Sequence, residues 1–158
     1  VSSSFSKSFS LYGERVGALS VVSNSADDAA RALSQLKRLV RTNYSNPPVH
    51  GGTVGATALT APELRQLWED ELAGMRVRIK EMRDSFVKKL KEKAPAHDFE
   101  FVREQVGMFS YSGLTKEQVR RLREEYSIYA IDTGRICIAA LNSKNVDYVA
   151  DAIAKVIK

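Results

Sequence analysis

The chain has 158 residues, 44% hydrophobic and 27% charged, which is the make-up of a soluble globular domain and excludes a disordered or low-complexity segment. Its 24 lysines and arginines against 19 acids leave a net charge of +5, scattered along the sequence. That field favours anionic ligands but falls far short of a nucleic-acid-binding tail. A single cysteine, Cys137, excludes an internal disulfide, and no apolar run is long enough to cross a bilayer, so no membrane partner is expected and the cytoplasm is the expected compartment.

In chain order, residues 1–5 read as a short extended run, and the alternating serines that follow suit a turn because serine hydroxyls compete for backbone groups. Residues 18–23 are apolar and valine-containing, the pattern of a buried strand, and Asn24-Ser25 then offers capping side chains for a helix over residues 26–41. Its inward face is expected to carry Ala29, Ala32, Leu33, Leu36, Leu39 and Val40. Pro47-Pro48 stops it with a stiff turn. Residues 51–60 are rich in small side chains and read as either a close-packed helix or a subunit contact. Thr60, Pro62 and Glu63 then predict a capped helix running to Lys93, with an apolar stripe through Leu64, Leu67, Trp68, Leu72, Met75, Ile79, Met82, Phe86 and Leu90. A helix of that length suggests a spine bridging two domains.

Beyond Pro95 the pattern is that of a smaller α+β unit. Residues 99–102 and 108–111 read as short strands, Thr115 with Gln118 as a capping box, and residues 128–131 as a strand turning at Asp132-Thr133-Gly134 into a hairpin partner over residues 135–140. Asn142-Ser143 opens a last amphipathic helix through Val146, Val149, Ile153 and Val156. The expected organisation is therefore residues 1–60, a linking helix over 61–95, and a terminal unit over 96–158.

Three places carry chemistry. Around Lys7, the hydroxyls of Ser4 and Ser6 and the guanidinium of Arg15 gather donors suited to a phosphate. Lys7 is either a solvated loop lysine or a nucleophile whose uncharged form is favoured by desolvation between Phe5 and Phe9. Arg41 stands at a helix end, where a cation also suits the helix dipole. Arg135 opens an apolar strand, either as an exposed strand-end charge or as a charge that an anion meets. His50 has no companion at metal-ligand spacing and Cys137 reads as a small buried hydrophobe, so neither a metal nor thiol chemistry is expected.

Ser4-Phe5-Ser6-Lys7, with Arg15 of Leu-Tyr-Gly-Glu-Arg-Val-Gly eight residues after the lysine, resembles the cofactor-lysine segment of the aspartate and aromatic amino acid aminotransferases, pyridoxal-phosphate enzymes of fold type I. The segments from Arg41 to Pro48, Gly107 to Leu114 and Thr133-Gly134-Arg135 follow in the same order as in that family. The resemblance implies an α/β fold, with this chain as the end of the large-domain sheet, the long helix and the small C-terminal domain. It implies pyridoxal 5'-phosphate bound as a Schiff base on Lys7, with Ser4, Ser6 and Arg15 on its phosphate. Arg135 would bind the α-carboxylate of the substrate, and Arg41 would reach across a homodimer to the side-chain carboxylate in the neighbouring active site. Phe109 matches a residue lining the same pocket.

The implied reaction is amino transfer between aspartate or an aromatic amino acid and a 2-oxo acid, 2-oxoglutarate. The family's partners for the pyridine nitrogen and ring are absent from these residues, and there is no initiator methionine, so a C-terminal portion requiring its N-terminal portion is expected. The other reading is an isolated or redesigned structural domain that self-associates without turnover.

Overall fold

The computed structural model describes residues 1–158, which divide into two compact units, Val1–Leu72 and Ala73–Lys158. In the first unit, strands β1 (Ser2–Ser4) and β2 (Gly17–Leu19) pair antiparallel, followed by helices α1 (Ala26–Tyr44) and α2 (Val49–Thr60). Helix α3 (Pro62–Lys93) contributes its first turns to this unit and the remainder to the second.

Local signals place most of these elements. Ser25 accepts the Asp28 amide at 3.1 Å and caps α1, while the Ser25 hydroxyl and, after it, Arg31 hold the Asp28 carboxyl below its ordinary range. The small-residue segment is helical, as one of its two readings had it. The predicted buried strand over residues 18–23 is corrected: the strand is Gly17–Leu19, with Ser20 still bonded to Val1, and Val21 and Val22 are exposed, because β1 is its one neighbour and no element covers either face. The predicted inward face of α1 is likewise open, with no buried residue along the helix. Thr60 does not cap α3. Its hydroxyl donates to the Ala56 carbonyl at 2.8 Å, so it closes α2 instead.

The second unit holds the core. Phe86, Val87 and Leu90 of α3 pack with Val119 and Leu122 of α5 (Lys116–Tyr126) and with Ala150 and Ile153 of α6 (Val146–Val156). The capping box forms as predicted: Thr115 accepts the Gln118 amide and Gln118 accepts the Thr115 amide. Lys93 of α3 bonds Asp151 of α6 at 2.7 Å, which holds that carboxyl below, and the amine above, their ordinary values.

Two strand predictions fail here. Residues 99–102 lie at the start of a short helix, α4 (Glu100–Glu104), because Phe99 and Val102 are buried together, a three-residue interval that a helical turn satisfies and an alternating strand does not. Residues 128–131 form no ladder. Strand β4 (Arg135–Cys137) pairs instead with β3 (Phe109–Tyr111), in the register Phe109 to Cys137 and Tyr111 to Arg135, and a turn of 3₁₀ helix (Ile138–Ala140) follows it. Gly134, at φ +81°, enters β4 so close to Leu114 that an added Cβ would lie 2.7 Å from its carbonyl oxygen, which glycine alone allows.

Candidate active site

Ser4 pairs opposite Gly17, and the Phe5 amide extends the ladder to the Val16 carbonyl at 3.0 Å. The approach is tight: a Cβ on Gly17 would lie 2.6 Å from the Ser3 carbonyl oxygen. The chain must therefore reverse within residues 5–16. Phe9 bonds back to the Phe5 carbonyl and Ser10 to that of Lys7, each at 3.2 Å. The Ser4 hydroxyl donates to Ser6 Oγ at 3.1 Å and accepts the Ser6 amide at 3.3 Å, which ties the two serines together at the mouth of the turn.

Both cations of this segment converge on Tyr12. Lys7 Nζ lies 4.0 Å from the centre of its ring, and the Arg15 guanidinium donates to its carbonyl at 3.2 Å. Arg15 itself is left-handed, φ 54°, at the end of the 3₁₀ turn Tyr12–Glu14, which is what folds its side chain back over that turn. The adjacent acid does not compete for it, because Glu14 meets His50 Nδ1 at 2.9 Å. The expectation that Phe5 and Phe9 enclose the lysine is corrected. Their rings pack edge to face at 5.6 Å, Phe9 stacks on Trp68 at 4.7 Å, and Lys7 remains exposed over Tyr12.

The other two arginines belong to other elements. Arg41 is exposed in the last turn of α1 and bonds the Ser45 hydroxyl. Arg135 belongs to the second unit, with its guanidinium 5.0 Å from the centre of the Phe109 ring. The register places Phe109 diagonal to Arg135 on one face of the two-stranded sheet, so their pairing follows from strand geometry. Arg135, Phe109 and Cys137 line a cavity of about 400 Å³ together with Ile128, Ile131 and Tyr148. Lys7, Arg15, Arg41 and Arg135 form no ion pair with any carboxylate of the chain, whereas Arg31, Arg65, Arg103 and Arg121 all do.

Three contributors carry no chemical signal in the sequence. Tyr12 is one aromatic among several, Trp68 sits within an apolar stripe, and Arg83 reads as one of many helix charges. Arg83 is buried in α3 and donates to the Gln105 and Gly107 carbonyls, just before β3; burial holds its pKa below the usual arginine value.

One tight turn thus carries a lysine, two hydroxyls and an arginine, the two cations free of carboxylates. The sequence profile described as aminotransferase class I and II matches residues 1–153. The chain belongs to the class I and II aminotransferase family. Among curated relatives, the aspartate aminotransferase of Pseudomonas aeruginosa is 60% identical over 99% of this chain and 39% of its own length. The aromatic-amino-acid aminotransferase of Escherichia coli is 51% identical over 99% of this chain and 40% of its own length. Among solved structures, an aromatic-amino-acid aminotransferase from Burkholderia pseudomallei covalently bound to pyridoxal phosphate superposes with a TM-score of 0.92 at 64% identity, covering 100% of this chain and 40% of that one. A mitochondrial aspartate aminotransferase from Trypanosoma brucei gives 0.91 at 47% identity, over 99% of this chain and 41% of that one. The chain thus spans 39–40% of the length of the curated relatives it matches.

Proposed function

We propose that this chain works as the C-terminal portion of a pyridoxal-phosphate-dependent aminotransferase, moving an amino group between aspartate or an aromatic amino acid and a 2-oxo acid, 2-oxoglutarate. The observation that carries the reading is the turn itself: an exposed Lys7 amine, the Ser4 and Ser6 hydroxyls 3.1 Å apart, and an Arg15 guanidinium with no carboxylate to neutralise it. These residues fit a phosphate ester that carries an aldehyde. The amine is free to bond the aldehyde carbon, and the hydroxyls and guanidinium are donors for phosphate oxygens. Bound there, pyridoxal phosphate would supply the electron sink that allows an amino acid to give up its α-proton.

The remaining roles fall to the chain's own side chains. Lys7 would bond the cofactor in the resting protein and, once displaced by the incoming amino acid, carry the proton at the substrate's α-carbon on Nζ. Arg135 would hold the α-carboxylate in a bidentate pair, with Phe109 beneath its guanidinium fixing the plane of the fork. Arg41 would serve the active site of the neighbouring subunit of a homodimer, binding the distal carboxylate of a dicarboxylic substrate. Residues 1–60 would complete the large domain of the cytoplasmic enzyme, 61–95 link the domains and 96–158 form the small one. Turnover would require the N-terminal portion that the relatives carry.

The test is to add pyridoxal phosphate to the chain, reduce with borohydride and map the modified peptides. Lys7 is expected to be the main modified lysine, with the adduct lost in Lys7→Ala. A parent chain in which Lys7 is labelled no more than other lysines would remove the reading. Exposed Leu33, Leu39, Leu64, Leu67 and Met75 favour a second reading, a self-associating module without turnover, and that result would leave it standing.

A further inference from the structure

We propose that Trp68 is a positioning residue for Lys7, fixing from α3 the turn on which the amine is carried; this rests on the role proposed for Lys7. The turn has few constraints of its own. Its carbonyls at Phe5 and Lys7 accept amides from within the same turn, and the carbonyl of Ser8, the residue after the lysine, accepts the Trp68 indole Nε1–H at 2.8 Å across 60 residues of sequence.

The same indole stacks on Phe9 at 4.7 Å with an interplanar angle of 13°, and Phe9 in turn meets Phe5 edge to face at 5.6 Å. Lys7 therefore sits between two aromatic residues that are fixed, directly or through each other, to one tryptophan. Its own amine lies over the ring of Tyr12, 4.0 Å from the centre. The arrangement separates the two tasks: Phe5, Phe9 and Trp68 hold the backbone, and the amine stays accessible. Lys7, Ser8, Phe9 and Trp68 all belong to the first unit, and one hydrogen bond with one ring stack defines where the lysine Cα stands relative to α3.

The test compares parent, Trp68→Phe and Trp68→Ala by pyridoxal phosphate labelling with borohydride reduction. Labelling is measured at every lysine, alongside the urea midpoint of each protein. Labelling adds the lysine amine to the aldehyde with loss of water, and borohydride then delivers hydride to the resulting carbon–nitrogen double bond, making the adduct permanent. The readout is the preference for Lys7 over the other lysines, which a general loosening of the fold would not lower selectively.

Trp68→Phe keeps a ring on Phe9 and loses the donor; its preference for Lys7 is expected to fall about five-fold, the factor set by one net hydrogen bond. Trp68→Ala loses both contacts and should fall further. A parent that prefers Lys7 and a Trp68→Phe variant that prefers it equally would overturn the positioning role and leave the proposed function intact. A variant with raised labelling at all lysines and a lowered urea midpoint would make Trp68 merely structural and also overturn it. A parent with no preference for Lys7 would remove the proposed function itself, and this inference with it.

An independent measurement needs no variant at position 68. Trp68 is the only tryptophan of the chain, so its single indole N–H resonance should shift when Lys7 is labelled. An unmoved resonance in a chain labelled at Lys7 would overturn the inference.

Discussion

At the scale of single residues, the difference between a charge left without a counter-ion and one that is neutralised lies in its nearest partner. Arg103 and Arg121 are answered by carboxylates at 2.6 and 2.7 Å, whereas Lys7 and Arg15 meet the ring and the carbonyl of Tyr12 and no carboxylate. Residue types alone left Lys7 and Arg15 open between solvated charges and an anion site, and the resemblance to a family motif singled them out; the structure places both on one reversal of the chain. The sequence could not select Tyr12, whose role depends on how that reversal closes. Arg83 marks the opposite extreme, a guanidinium buried to 5% exposure whose partners are the carbonyls of Gln105 and Gly107. Those bonds fix the approach to β3 and hence Phe109 beside Arg135. Arg83→Met, close in length and without donors, leaves two carbonyls unanswered and is expected to destabilise the chain by about 1–3 kcal/mol, measured as a shift in urea midpoint.

At the scale of elements, α3 is one helix in sequence and two in environment. Its hydrophobic stripe continues from Leu64 to Leu90 at three- and four-residue steps, yet Phe86, Val87 and Leu90 are buried while Leu64, Leu67 and Met75 are exposed. Periodicity states which side chains share a face, and only a neighbouring element decides whether that face is covered. The same substitution should therefore differ in cost along one stripe. Leu90→Ala, which opens a cavity against α5 and α6, is expected to cost about 2–5 kcal/mol, and Leu64→Ala to change stability by no more than about 0.5 kcal/mol. Chemical denaturation of the two variants checks the contrast; equal effects would mean that the first turns of α3 are covered in solution.

At the scale of the whole molecule, stability is unevenly shared. In Val1–Leu72 only Ser6, Leu11 and Gly51 are buried, whereas Ala73–Lys158 contains the entire apolar cluster from Phe86 to Val156. Native-state hydrogen exchange should therefore show the slowest amides in α5, α6 and the end of α3, and fast exchange through α1 and α2. Comparable protection in α1 would contradict this. The sequence by itself determined what is settled within a few residues: the Ser25 and Thr115 caps, the far end of α3 at Lys93 and the turn that carries Lys7 beside Ser4, Ser6 and Arg15. These rest on side chains bonding backbone groups three or four positions away, and on motif spacing. Tertiary structure alone decided that β4 pairs with β3 and not with residues 128–131, that residues 99–102 start a helix, and that the indole of Trp68 reaches the lysine turn. A pairing partner distant in sequence is chosen by competition for burial and backbone hydrogen bonds, and a single segment's pattern carries no information about its competitors.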